Sequence, residues 1–482
     1  MGVLVIDVGT SGIRCVVVHA DGTIIDQQHR ECLPASPQPG FVEFDPRLQA
    51  DIAIGLARDA IGRTGPVDAI AVTNQRGSTV CWDRATGEPV GNGLGWQDQR
   101  AKGHARRLLS NGIVAGPGSM GPTAAWQVER SGRPVGELCV GTVDTWITWN
   151  LTEGREFVTD ASNLSGGLLW SSSHEEISPL ALKILGLPRE LFADIVDTCG
   201  VLGLATALPG VPPIAALAGD QMASLIGHGA VSPGEAKITF GTGAMLDVTL
   251  GETPVDNLTA MSSGCLPMVA RRSQGQSDWM LEAVMAAAGA NLEWLRDGLG
   301  IISDTCEVDS IASQCVTSGG VFYVPAILGL GTPSWDSSAR GTLFGITPSS
   351  TRAQIVRAVL EGVAQQAADL VDAAERQGEL VISRLSVDGG MSRSQTFVQA
   401  VADATGLEVD VACEPEMTSL GAALLAGIGI GTWSDRSDLN DAWAPKYSVS
   451  PEREFDRAVW HEACRRATSL TRSLTSKADS SR

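Results

Sequence analysis

The chain opens on an unbroken apolar run, Val3-Leu4-Val5-Ile6, and the apolar pattern resumes over residues 13–19 after Asp7-Val8-Gly9-Thr10-Ser11-Gly12. Two short β-rich runs around a glycine-bracketed turn predict a strand, a tight turn and a returning strand. The same arrangement recurs once. Lys237-Ile238-Thr239-Phe240 leads through Gly241-Thr242-Gly243 into a second run over 244–250. Two such hairpins suggest two halves of related architecture, although 55 glycines make a chance repeat easy. Residues 68–73 and 213–218 are short apolar runs ending in polar residues and glycine, as buried strands do. Apolar side chains at 355, 356, 359, 360, 363, 367, 370 and 371 follow helical spacing, with Thr351 and Gln354 as a capping box and Gly378 as the stop. Leu385-Ser386-Val387 then passes through Asp388-Gly389-Gly390 to a helix carrying Phe397, Val398 and Val401. This alternation predicts a mixed α/β fold.

At 482 residues the chain is long enough for two large domains. The natural boundary is Val231-Ser232-Pro233-Gly234, giving domains over 1–232 and 233–435, then a C-terminal piece over 436–482. Within that piece, 435–447 reads as a polar connection, 452–474 as a helix and 475–482 as a solvated tail. The net charge of −20 argues against a nucleic-acid or anionic-membrane partner. No apolar run approaches the length of a membrane span, and Asp7 interrupts the first one too early for a signal peptide. Ten scattered cysteines with no C-x-x-C pair point away from zinc and disulfides and towards a cytoplasmic protein.

Candidate chemistry gathers at the turns. No lysine follows a glycine, so a Walker A loop is absent, and the strict G-x-G-x-x-G fingerprint is missing too. Gly9, Thr10, Ser11 and Gly12 could instead point N–H and hydroxyl donors at an anion, as could Gly241-Thr242-Gly243, though an ordinary hairpin turn looks the same. Asp7, beside the first turn, suits a Mg²⁺ ion set between acid and phosphate, or simply an Asx-turn. Asp220, in Ala218-Gly219-Asp220-Gln221, follows a strand and opens a helix, as an N-cap does. In a phosphate-transferring site it would be the general base, with Gln221 holding a neighbouring hydroxyl. Arg76, in Thr73-Asn74-Gln75-Arg76, and Trp96 supply a guanidinium and an indole, a common clamp and floor for a polyhydroxylated carbon chain.

Taken with Thr142-Val143-Asp144-Thr145-Trp146, Gly329-Leu330-Gly331-Thr332-Pro333-Ser334-Trp335-Asp336, Val387-Asp388-Gly389-Gly390 and Leu420-Gly421-Ala422-Ala423, these motifs resemble the FGGY family of carbohydrate kinases, in particular its glycerol-kinase branch. The resemblance runs over nearly the whole chain. It implies a two-domain actin-like ATPase fold with a cleft, substrate mainly on the first domain and nucleotide mainly on the second. It also implies ATP and Mg²⁺ as cofactors, with Asp220 as catalytic base and Arg76, Trp96, Asp220 and Gln221 on the polyol. Thr10, Ser11, Thr242, Gly289, Gly390, Met391 and Ser394 fall at nucleotide positions, and Asp7 at the metal. The expected partner is a small polyol or sugar, bound by a chain acting alone or as a homodimer.

The departures from the family lie on the substrate wall. Gly77 stands where glycerol kinases carry Glu, Ala286 stands where they carry Phe, and the segment with their substrate-side Tyr is shortened around 118–126. Losing that carboxylate and that ring predicts room for a four- or five-carbon polyol or ketose, with glycerol the poorer substrate. Glu293 and Ser394 also replace the family's nucleotide-side Gln and Asn. The competing expectation from another class is a sugar-responsive regulator or an actin-like ATPase of the same fold, which the presence of Asp220 disfavours.

Overall fold

A computed structural model of the chain describes residues 2–253, 263–413, 416–434 and 444–479, with side chains through 468. The chain folds as two compact units. The first comprises 1–229, 268–279 and 416–443; the second comprises 230–267, 280–415 and 444–482.

Both units are built on a sheet begun by one of the two hairpins. In the first, Gly2–Val8 pairs antiparallel with Gly12–His19, which pairs with Ile24–Glu31; on its other side Gly2–Val8 runs parallel to Ala69–Asn74. Pro213–Gly219 continues the parallel set, and Cys199–Leu204 closes it antiparallel. In the second, Glu235–Phe240 pairs antiparallel with Ala244–Gly251 and parallel with Arg384–Asp388. Val409–Val411 is parallel again, and Tyr447–Val449 closes the edge antiparallel. Hairpin, two parallel strands and an antiparallel edge recur in the same order, so the two halves share an architecture.

The unbroken apolar runs follow from burial on both sheet faces. Leu4, Ile6 and Val8 join Ala53, Leu56, Ala57 and Ala60 of the helix Pro46–Thr64 in one core. Val3 and Val5, which point the opposite way, are buried as well. The helix Met417–Gly429 packs on Gly2–Val8, Ala69–Asn74 and Pro213–Gly219 of this sheet. A sequence division that keeps 233–435 together therefore differs from the observed units. The cause is the wholly apolar face of that last helix, whose Leu420, Leu424 and Leu425 are buried in the first unit.

Three local expectations change. Gly378 is the last residue of the helix Arg352–Gly378, and Glu379 takes the left-handed cap at φ 50°; the Thr351–Gln354 capping box is present. Tyr447 begins a strand rather than ending a connection, while 435–443 lie outside the described residues. The terminal helix runs Arg457–Asp479, later than expected, because the Asp456 carboxylate accepts from the backbone N–H of Ala458 and Val459 and caps it there. Residues 475–479 are thus helical, and 480–482 lie outside the described residues.

Candidate active site

In the first unit the ends of three neighbouring parallel strands deliver the candidate groups to one place. Gly2–Val8 carries Asp7, Ala69–Asn74 leads into Gln75 and Arg76, and Pro213–Gly219 leads into Asp220. Asp220 is the first residue of the helix Asp220–Gly227, and Gly219 holds the cap position, so the N-cap alternative for Asp220 falls away. Oδ1 of Asp220 accepts from Arg76 Nε at 3.1 Å and from the Gln221 backbone N–H at 2.8 Å. The Arg76 stem threads between two glycines. A Cβ on Gly166 would stand 2.7 Å from Arg76 Cδ, and one on Gly219 would stand 2.8 Å from it. Neither position admits a larger residue without displacing the guanidinium. Arg76 Nη1 also reaches Met268 Sδ at 3.0 Å.

The helix Ala161–Gly166 braces this corner. Asp160 caps it, Ser162 Oγ accepts from Gly219 N at 2.9 Å, and Asn163 Oδ1 accepts from Asn74 Nδ2 at 2.9 Å. Sequence reading missed all three, since their only signal is an acid before a short Ser/Asn-rich turn.

Asp7 lies 3.9 Å from Arg14, and Arg14 also pairs with Glu416. Burial pushes the Asp7 carboxyl up to about 7 against the pull of Arg14, with Asp220 and Glu416 adding to the rise. Asp220 and Glu416 thus both bear on the Asp7 carboxylate, with Arg14 beside Asp7 and Glu416 and Arg76 on Asp220; a carboxylate at this strand end is the kind of oxygen ligand that suits Mg²⁺. Glu416 was unforeseen, because it is 402 residues from its partner.

Trp96 is 46 % exposed, as a wall for a bound ligand should be. Its indole N–H donates to Thr10 Oγ1 at 3.2 Å, and its backbone N–H donates to Ser78 Oγ at 3.1 Å. Gly77 takes a left-handed backbone conformation that favours glycine. It is buried at φ +79°, and a Cβ there would meet Trp96 Cβ at 3.4 Å and Gly118 O at 3.6 Å. Gly118 itself abuts the Trp96 carbonyl so closely that a Cβ would lie 1.7 Å from it. Ala286, in the second unit, is half-buried.

In the second unit, Gly241, Thr242, Gly289, Gly390, Met391 and Ser394 line one cavity of about 530 Å³, with Glu293 and Arg296. That volume suits a small-molecule site. Backbone approaches backbone closely here: a Cβ on Gly289 would be 2.7 Å from Gly241 O, and one on Gly243 would be 2.7 Å from Met285 O. Ser394 contributes less than its position suggested. Its hydroxyl donates to Asp309 Oδ1 at 2.6 Å and accepts from Phe397 N at 3.1 Å, so it serves mainly as a helix cap. Thr10 and Ser11 belong to the first unit and are not among the residues lining this cavity.

Elsewhere among the described residues, Asp369, Asp372 and His461 could together hold a metal, but Arg457 already ion-pairs with both aspartates. No described helix is long and apolar enough to cross a membrane.

Two sheets that share a hairpin, two parallel strands and an antiparallel edge, each with a glycine turn at its leading hairpin, make this a two-domain α/β fold of the actin-like ATPase class. Comparison gives the family. Residues 2–227 match the N-terminal domain and 236–430 the C-terminal domain of the FGGY family of carbohydrate kinases, and the chain belongs to that family. It is an enzyme that phosphorylates a small polyol or sugar. Glycerol kinase of Trichlorobacter lovleyi is 38% identical over 96% of this chain and 98% of its own. Among solved structures, Plasmodium falciparum glycerol kinase with ADP has a TM-score of 0.89 at 26% identity, covering 97% of this chain and 98% of the other. A ligand-bound xylulose kinase from Lactobacillus acidophilus shares the fold, with a TM-score of 0.84 at 18% identity over 99% and 98% of the two chains.

Proposed function

We propose that the chain transfers the γ-phosphoryl group of ATP to a hydroxyl of glycerol, with Asp220 as general base. The observation that carries this is the Arg76–Asp220 pair, fixed at 3.1 Å between two glycines beside the exposed face of Trp96. Relatives named glycerol kinase support the choice of substrate.

In this reading Asp220 takes the proton of the attacking hydroxyl, and Arg76 aims the carboxylate through Nε. Gln221 and Arg76 hold the remaining hydroxyls, and the Trp96 ring covers the C–H face. The Gly9–Gly12 turn receives the phosphoryl group that is transferred, since that group must meet the acceptor hydroxyl near Asp220. Gly241, Thr242, Gly289, Gly390 and Met391 line the nucleotide cavity. Asp7 would hold Mg²⁺, which would offset negative charge on the phosphates. The chain's own task is then largely positioning, which is the main component of phosphoryl-transfer catalysis.

The test is ADP release with glycerol, erythritol, xylitol and D-xylulose, in the wild type and in Asp220→Asn. Glycerol should give the highest kcat/KM, and the variant should lose about 10²–10⁴-fold in kcat while still binding nucleotide. No turnover on any acceptor by folded protein would sink the kinase reading. A pentitol or pentulose outranking glycerol would overturn the substrate assignment alone.

A further inference from the structure

Gln75 is almost fully buried, has no role in the proposed chemistry itself, and lies at the centre of a hydrogen-bond ring that joins Thr10 of the glycine turn to Trp96. Its Oε1 accepts from the Thr10 hydroxyl at 3.2 Å and from the Ser78 hydroxyl at 3.1 Å. Its Nε2 donates to Gly9 O at 3.4 Å, which fixes the amide orientation, because the flipped amide would set oxygen against oxygen. Thr10 Oγ1 in turn accepts from the Trp96 indole, and Ser78 Oγ accepts from the Trp96 backbone. The ring therefore runs from Trp96 through Thr10, Gln75 and Ser78 back to Trp96.

The proton count of this ring matters. A hydroxyl has one hydrogen to give, and Thr10 gives it to Gln75. A phosphate oxygen is an acceptor, so Thr10 can donate to an incoming phosphoryl group only by turning away from Gln75. Where that turn is a rotation of the Thr10 side chain about Cα–Cβ, which moves the oxygen and not the hydrogen alone, it also withdraws the acceptor that holds the Trp96 N–H, which then becomes a donor for a substrate hydroxyl. Conversely, an acceptor molecule that draws the Trp96 N–H away weakens the hold on Thr10.

We propose that Gln75 is a positioning residue that couples nucleotide binding to polyol binding, by keeping the Thr10 hydroxyl and the Trp96 indole engaged with each other until either ligand arrives. The inference rests on the kinase reading and adds to it. Each ligand breaks the same ring, so the second to bind no longer pays for that rupture, and the coupling is positive and reciprocal.

The experiment uses the full chain with Mg²⁺, a non-hydrolysable ATP analogue and glycerol. The dissociation constant of the analogue is measured with and without saturating glycerol. The ratio should be at least about five-fold in the wild type and in Thr10→Ser, which keeps the hydroxyl, and should fall below about two-fold in Gln75→Met, where Thr10 is free to donate from the outset. An unchanged ratio in Gln75→Met, with both ligands binding, overturns the proposal. A second measurement does not depend on that variant folding. The analogue alone should shift the fluorescence of Trp96, isolated by subtracting the Trp96→Phe signal; no shift in the wild type also overturns it. A chain that binds nucleotide yet neither binds nor turns over any polyol fails the kinase reading instead, and the coupling with it.

Discussion

Asp144, in the first turn of the helix Val143–Leu151, is wholly out of solvent, with hydrogen bonds from the Thr142 hydroxyl at 2.5 Å and the Thr159 hydroxyl at 2.7 Å. Burial, and then the nearby Asp160 charge, push its carboxyl up to about 7 despite those donors. In the unfolded chain the group would ionise near 3.8. Between those values the folded state binds more protons, so this residue lowers stability as pH rises from about 4 to about 7. The full effect of such a shift is at most about 4 kcal/mol. Asp144→Asn removes the titration, and the threonine hydroxyls can turn to suit an amide. The variant should gain in thermal midpoint relative to wild type, and gain more at about pH 7 than at about pH 5. Melting curves by circular dichroism at the two pH values check this; an equal difference at both would mean that Asp144 does not titrate between them.

At the scale of the element, the hairpin Glu235–Phe240 with Ala244–Gly251 carries its own internal charge pair. Lys237 and Asp247 face each other across the ladder at 2.7 Å, both with fully buried side chains, and Lys237 also donates to Thr239. Removing one partner leaves a charge in a dry core, which costs about 3–5 kcal/mol, whereas replacing both with apolar residues is often neutral or stabilising. Asp247→Ala should therefore unfold in much less denaturant than the double variant Lys237→Met/Asp247→Leu. A double variant no more stable than the single one would show that the pair itself holds the hairpin. The pattern of apolar positions made the hairpin legible but not this pair, because a strand pattern says which residues alternate and not which lie opposite. The site divides the same way. Asp7, Arg76, Asp220 and the glycine turns stand out because their residue types sit at strand ends, where chemistry concentrates. Gly166, Glu416 and Met268 do not, since each acts through a neighbour far away in sequence, and Asp160 signals only a local cap for 161–166.

At the scale of the whole molecule, neither unit is a continuous stretch of chain. The helix Met417–Gly429 lies against the helix Asp220–Gly227 so closely that a Cβ on Gly421 would be 1.9 Å from Ala223 O, and one on Gly227 would be 2.1 Å from Met417 O. A truncated chain ending at 229 lacks that helix and leaves the apolar face of its sheet uncovered. It should show no cooperative thermal transition and should be cut quickly by protease, while the full chain melts sharply. A truncated chain melting near the full-length midpoint would mean that the first unit completes its core without the returning segment.

That returning helix also sets a clock. Arg14 meets Glu416 across 402 residues, and Trp433 donates to Ala20 O across 413. At about 5–20 residues per second of synthesis, the opening sheet waits roughly 20–80 s on the ribosome for the segment that covers it. During that interval a row of valines, leucines and isoleucines is bare, and the carboxylate at the head of the Asp220 helix rests on an unfinished support. A newborn chain therefore depends on whatever shields apolar strands during translation, and the Arg76–Asp220 corner gains its full support only once residues 416–433 have emerged.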